Sequence, residues 1–250
     1  MKYTNPSSLQ VGATKPGNMP GKLFALLLTA LAFTAISTLS VQSNTPPAVS
    51  HDGLHLDPDS DVALLYTKPE ARWSDYSRFK MLEAYVAFKK NWARDTKVAG
   101  RRVPKKDIEK IKVEAAALLH ETFKEELDEN GGYRFVEESD DDVMILRPAL
   151  IDLEITAPDV SVAGRVDQYV ASAGAATLFL EMYDSVSGEI MARVVDRRRM
   201  QDYGYARWAN SVTNRADARR MFKKWAVLLR TGMDEQRKEA GLPPIQGSLE

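Results

Sequence analysis

Two stretches of this chain, residues 104–129 and 216–239, carry apolar side chains at three- and four-residue steps, while the segments between them alternate with a period of two. An amphipathic helix must bury its stripe against another layer, and so must the apolar face of a strand. The two patterns together restrict the fold to helices packed on a sheet. In the first stretch the stripe is Ile108, Ile111, Ala115, Leu118, Leu119, Phe123 and Leu127, and Asn130-Gly131-Gly132 ends it, because glycine takes the left-handed conformation common at a helix C-terminus. In the second it is Ala218, Met221, Phe222, Trp225, Leu228, Leu229 and Met233, ending before Gly241-Leu242-Pro243-Pro244.

Strands are expected at 80–89, with Leu82, Ala84, Val86 and Phe88 on one face, and at 133–138, 143–157, 175–184 and 189–199. In 143–157 the alternation assigns Val143, Ile145, Ala149, Ile151, Leu153 and Ile155 to one face, and Pro148 demands an edge position or a bulge. Ser185-Val186-Ser187-Gly188 has the length and chemistry of a hairpin turn. The order β, α, β, β, β, β, α predicts an α+β fold: a mostly antiparallel sheet with two amphipathic helices on one face, spanning 61–240, with 241–250 as a tail.

The first 43 residues are of another kind. They hold Lys2, Lys15 and Lys22, no acidic residue, and an apolar run at 23–36 followed by small residues, which is the pattern of a signal peptide. Cleavage after Ser37, Ser40 or Ser43 would release a periplasmic protein. The alternative is an uncleaved inner-membrane signal anchor, since Leu39 and Val41 lengthen the run toward the roughly 20 residues a span needs. Residues 44–60, with Pro46, Pro47 and Pro58, read as a linker. The chain contains 34 basic and 35 acidic residues and no cysteine. Disulfides, thiolate metal sites and a cysteine nucleophile are thereby excluded, and a near-neutral charge argues against a nucleic-acid partner. Beyond residue 43 the net charge is −4.

No cofactor, metal or catalytic residue is expected. His51, Asp52, His55, Asp57, Asp59 and Asp61 are dense in ligand atoms, but 57–68 imitates a calcium loop with Val62 where glycine is needed and Lys68 where glutamate is needed. His120 has no nucleophile motif to serve, and Asp152 with Glu154 falls on the face opposite Leu153. An envelope enzyme working through such dispersed carboxylates is the alternative to a non-catalytic accessory or binding protein. The densest chemistry is basic: ten Lys and Arg lie within 193–224, interleaved with aromatics. Guanidinium groups beside stacking rings suit anionic partners. The expected binding residues are therefore Arg198, Arg199, Tyr203, Tyr205, Arg207 and Trp208, facing an envelope protein or an anionic envelope surface. The competing reading pairs these arginines internally with the acidic run 137–142.

Gly53-Leu54-His55-Leu56, Tyr66-Thr67-Lys68-Pro69, Trp73-Ser74-Asp75-Tyr76, Ile145-Leu146-Arg147-Pro148-Ala149-Leu150-Ile151-Asp152, the stretch from Glu181 to Ile190 and Val195-Asp196-Arg197-Arg198, in that order, resemble the bacterial envelope proteins of domain of unknown function family 3313 (DUF3313). The resemblance spans about 53–238. Members are typically lipoproteins, and this sequence has no cysteine to carry the lipid. The family has no established activity, so the resemblance implies no catalytic residue.

Overall fold

Strand 143–155 is the spine of the molecule, because it joins the antiparallel part of the sheet on one side to the parallel strands on the other. The structure is a computed structural model. It describes residues 45–98, 100–156, 168–172, 174–200, 202–209 and 211–245, and of 98, 168–172, 202–209 and 211–213 the backbone only. In chain order the elements are β1 (His55–Leu56), β2 (Leu64–Thr67), β3 (Arg78–Met81), β4 (Tyr85–Phe88), α1 (Trp92–Asp95), β5 (Lys97–Val98), β6 (Arg101–Arg102) and α2 (Lys105–Lys124, extended by a π turn at Glu125–Glu129). Then follow β7 (Arg134–Phe135), β8 (Val143–Ile155), β9 (Gln168–Ser172), β10 (Gly174–Asp184), β11 (Ile190–Arg199), β12 (Asp202–Ala209) and α3 (Ser211–Glu239).

Eight strands form one mixed sheet in the order β1-β2-β11-β10-β8-β3-β7, with β4 also on β8. The pairings from β1 through β11 and β10 to β8 are antiparallel, and those of β3, β4 and β7 are parallel. The α+β class is therefore as the patterns predicted. Both long helices contribute to one core over the sheet, where Leu119, Phe123 and Leu127 of the first meet Phe222, Trp225 and Ala226 of the second among Met144, Leu146, Leu150, Leu178 and Leu180. No helix among the described residues is long and apolar enough to cross a membrane.

The two helices run in the same direction, zipped by ion pairs that advance together. Glu121 meets Arg215 and Arg219, Glu125 meets Arg219, and the buried Glu126 meets Lys223 and Arg230. The pattern follows from acids and bases spaced one turn apart on facing stripes.

Several local expectations need correction. The strand expected at 80–89 is two strands, β3 and β4, separated at residues 82–84, and Leu82 is 39% exposed rather than inward. That break accommodates Pro148. The Leu82 N–H donates to the Leu146 carbonyl at 2.9 Å and pairing resumes with Tyr85 opposite Ala149, so the proline's missing N–H falls in the interval between the two strands. Pro148 thus sits inside the sheet, with no edge needed. In β8 the inward side chains are Met144, Leu146 and Leu150, the set opposite to the expected one, until a bulge at Asp152 (φ 50°) turns Leu153 inward. The pairing with β10 and with β4 shifts register at this same point. Alternation could not choose the face because a central strand is apolar on both.

The segment 45–60 differs from a linker. Leu54 is 1% exposed, β1 pairs with β2, Val49 bridges His55, and the Tyr66 hydroxyl donates to the Pro47 carbonyl at 2.8 Å. Periodicity missed it because Leu54 is the one side chain buried there, just before a two-residue strand whose own residues are exposed or half-buried. The strand expected at 133–138 is only β7, and the last helix begins at Ser211, a turn before the expected start. Residues 1–43, which carry the signal-peptide reading, and 246–250 of the tail lie outside the described residues.

Trp225 is 3% exposed, stacks with Phe222 at 5.9 Å between ring centroids, and donates Nε1–H to Asp196 at 2.8 Å. Trp225→Ala should cost about 3–5 kcal/mol in urea unfolding, and Trp225→Phe, which keeps most packing but loses the donor, about 1–2 kcal/mol. A neutral Trp225→Ala would place this face of α3 outside the core.

Candidate functional site

Packing between α3 and the sheet is incomplete in more than one place. Beside Trp225 lies a cavity of about 480 Å³. Its floor is the inner face of three strands, with Leu178, Leu180 and Met182 from β10, Ala192 and Val194 from β11 and Leu65 from β2. Trp73 closes one side, and α3 contributes Trp225, Leu228, Leu229, Gly232 and Met233. Gly232 of α3 lies exposed at the edge of the cavity, and a Cβ built there meets nothing within 4 Å. The mouth carries Asp57, Asp59, Asp61 and Glu235, and no Lys, Arg or His is among the lining residues. Asp57 is half-buried and the other three carboxylates are exposed.

The wall that bears three of these carboxylates is the loop between β1 and β2, and one buried side chain holds it. Asp196 of β11, 6% exposed, accepts the Ala63 N–H at 3.1 Å, the Trp225 Nε1–H at 2.8 Å and the Arg198 Nε–H at 2.7 Å. Loop, helix and strand therefore converge on one carboxylate. A second wall contact is intrinsic to the loop: Asp57 caps the Asp59 N–H at 3.0 Å, and the Asp57 N–H reaches the Leu65 carbonyl at 2.8 Å.

The other face of the sheet carries a lattice of charges. Register places Arg147, Glu181 and Arg193 directly across β8, β10 and β11, and Arg193 extends the row to Asp52 at 3.1 Å. The guanidinium of Arg193 holds the Asp52 carboxyl far below the usual carboxylate range, assisted by the Ser50 hydroxyl. Farther along, Glu154 meets Arg197 and Lys89. Burial alone pushes Glu154 up, and the two cations reverse that, so it lies below its ordinary value. At the far end Arg78 joins Asp142 and Asp140 and lowers both, while Asp184 is lowered by the Ser187 backbone N–H in the hairpin turn.

These pairings locate the residues singled out from sequence. Arg198 is held by Asp196, and Arg199 is exposed at the end of β11. Tyr203, Tyr205, Arg207 and Trp208 lie on β12, which pairs with β9, and their side chains lie outside the described residues. Most of the basic stretch is engaged internally, as the competing reading had it, but with different acids. Arg193, Arg197 and Arg198 take Glu181, Glu154 and Asp196. Asp140 and Asp142 of the acidic run go to Arg78 instead, because that run precedes β8 at the end where β3 begins. His120 is exposed and edge-on to Phe135, and Asp152 is exposed in the bulge, so His120, Asp152 and Glu154 do not meet. Among the described residues no three His, Asp or Glu side chains are grouped to hold a metal ion.

The cavity itself was missed. Its carboxylates were visible as Asp57, Asp59 and Asp61 but read as linker, and the signal that could have found it is Gly232, a glycine inside a helical apolar stripe.

Two predictions test this account. Asp196→Ala should cost about 3 kcal/mol, since it strands two buried donors and a half-buried guanidinium; Asp196→Asn, whose amide turns a donor toward donors, should cost about 1–2 kcal/mol. Equal stability of all three proteins in urea would remove Asp196 from its role. Asp52, Asp140, Asp142, Glu154 and Asp184 have folded values below their unfolded ones, so their contribution is present above the unfolded carboxylate range and lost on acidification. The melting temperature should be level at neutral pH and fall progressively below about pH 4, with a shallower fall in Arg78→Gln. A melting temperature that rises on acidification would contradict these pairings.

No curated protein matches the chain in sequence. Among solved structures it is similar to the PelC dodecamer from Paraburkholderia phytofirmans, with a TM-score of 0.32 and 11% identity over 66% of this chain and 96% of that one. It is also similar to a Xanthomonas campestris protein of family model DUF330, with a TM-score of 0.35 and 10% identity over 66% of this chain and 88% of that one. Likeness at that level bears on no function. The family comparison is of another order, since its match runs from within the folded segment before β1, across the whole sheet, to Leu229 in the cavity wall. By that match, over residues 47–229, the chain belongs to the family described as protein of unknown function, DUF3313.

Proposed function

We propose that this is an exported, non-catalytic binding or accessory protein of the bacterial cell envelope, which takes an apolar ligand into the cavity between α3 and the sheet. The cavity carries the reading. Its size of about 480 Å³ falls in the range of small-molecule sites, about 300–1,000 Å³. Its floor and walls are strands and a helix of the core, so the site is pre-formed. Binding is favoured over turnover by the polar groups at hand. The Ser60 hydroxyl is committed to the Val62 carbonyl at 3.2 Å, and the titratable groups of the described lining are carboxylates, with no histidine or lysine to act as a base. Export is supported by the apolar run 23–36 behind three lysines, with the periplasm as the destination.

Each half has its own test. Cell fractionation should recover a soluble product beginning between Thr38 and Asn44; an intact Met1 product in the membrane pellet would establish the anchor instead. Fluorescence titration of the exported protein with the neutral probe N-phenylnaphthylamine should saturate at one site, and Gly232→Phe should abolish it by filling the mouth. Gly232→Ala, which leaves the cavity open, is the folded control and should melt no lower than the natural protein. Absence of saturable binding, or binding indifferent to Gly232→Phe, would remove the cavity as the functional site.

A further inference from the structure

The chemistry of the cavity points to one kind of occupant. The floor is mostly apolar, with Leu65, Leu178, Leu180, Met182, Ala192 and Val194, and the charged groups of the lining are exposed or half-buried, which suits a ligand with a hydrocarbon body inside and a head toward solvent. Asp57, Asp59, Asp61 and Glu235 all line this cavity, and among the described residues its lining holds no basic residue and these four form no ion pair to Lys or Arg. Several carboxylates elsewhere among the described residues are matched instead: Glu181 and Asp52 by Arg193, Glu154 by Arg197 and Lys89, Asp142 by Arg78, and Glu126 by Arg230. The mouth is where like charges are left facing one opening, and a negative rim on low-dielectric walls concentrates cations there and repels anionic heads.

We propose that the cavity binds an amphiphilic organic cation: an alkyl or aromatic body seated over Trp225 with an ammonium, amidinium or guanidinium head among the four carboxylates. The proposal rests on the binding reading above and adds the charge of the ligand to it. The indole of Trp225 has its N–H committed to Asp196, so it offers the occupant a fixed apolar wall. The carboxylates lie on two independent elements, three on the loop between β1 and β2 and one on α3, so a head between them is approached from both sides. An anionic amphiphile of the same body would place its head against like charge, at a cost that dominates at low ionic strength.

Isothermal titration of the exported protein with decyltrimethylammonium, decyl sulfate and decyl maltoside, each below its micelle concentration, reads the choice directly. The cation should bind at least about tenfold tighter than the maltoside at low salt, with the sulfate weakest, and the spread should collapse at about 0.5 M salt. Combined Asp57→Asn, Asp59→Asn, Asp61→Asn and Glu235→Gln should bring the three affinities together without abolishing maltoside binding. Should the combined variant fold poorly, the exposed pair Asp59→Asn and Glu235→Gln replaces it, and an unchanged cation preference in that pair overturns the proposal. Equal affinities in the natural protein, or tightest binding of the sulfate, overturn the cation assignment and leave the cavity reading in place. If none of the three amphiphiles binds, both fall.

Discussion

A single buried carboxylate sets the arrangement of the half of this protein that holds the cavity. Asp196 receives hydrogen bonds from the loop before β2, from the indole of Trp225 on α3 and from Arg198 at the end of its own strand. A charge 6% exposed is tolerable only because its acceptor sites are occupied by well-aligned donors. The same three bonds fix how far α3 stands from β11 and where the loop runs. The space beside Trp225 therefore has a floor, a helix and an acidic lip in constant relation, which is what allows a hollow in an otherwise packed core to act as a site.

The opposite half is governed by β8. Because this strand pairs on both sides, its irregularities must be answered by its neighbours. Pro148 is answered by the interruption between β3 and β4, and the Asp152 bulge by register shifts in both β10 and β4. Gly174 belongs to the same adjustment: its φ of 143° brings it against Glu154, where a Cβ would lie 1.9 Å from a carbonyl oxygen. The other sheet face is then stabilised by cross-strand pairs such as Arg147, Glu181 and Arg193, whose value comes from register and from their partial burial in the row. Within the basic stretch of the sequence, Arg193 and Arg197 belong to this lattice, Arg198 turns to Asp196, and Arg215 and Arg219 pair with α2.

Much of the fold was legible because its largest elements carry their own periodicity. The stripes of α2 and α3 ended up against the sheet with the residues named in advance, and the 185–188 turn joins β10 to β11. The failures share a cause. Face assignment in β8, the split of β3 from β4 and the anchoring of 45–60 all depend on partners distant in sequence, and a local pattern carries no record of them. The candidate site failed for the same reason: Asp57, Asp59 and Asp61 look solvated, and Gly232 looks like a blemish in a helix, until they are seen around one opening.

The sequence by itself determined the class of the fold, the two helices and their buried stripes, the hairpin and the absence of thiol chemistry. These follow from composition and from periods of 3.6 and 2, which act within a few residues. Tertiary structure alone decided which acid each arginine takes, which face of the central strand is inward, and that an apolar hollow with a negative mouth remains between α3 and the sheet. Those outcomes depend on distances between residues more than a hundred positions apart, such as Ala63 and Asp196, where strand register and helix placement, rather than local preference, set the energies.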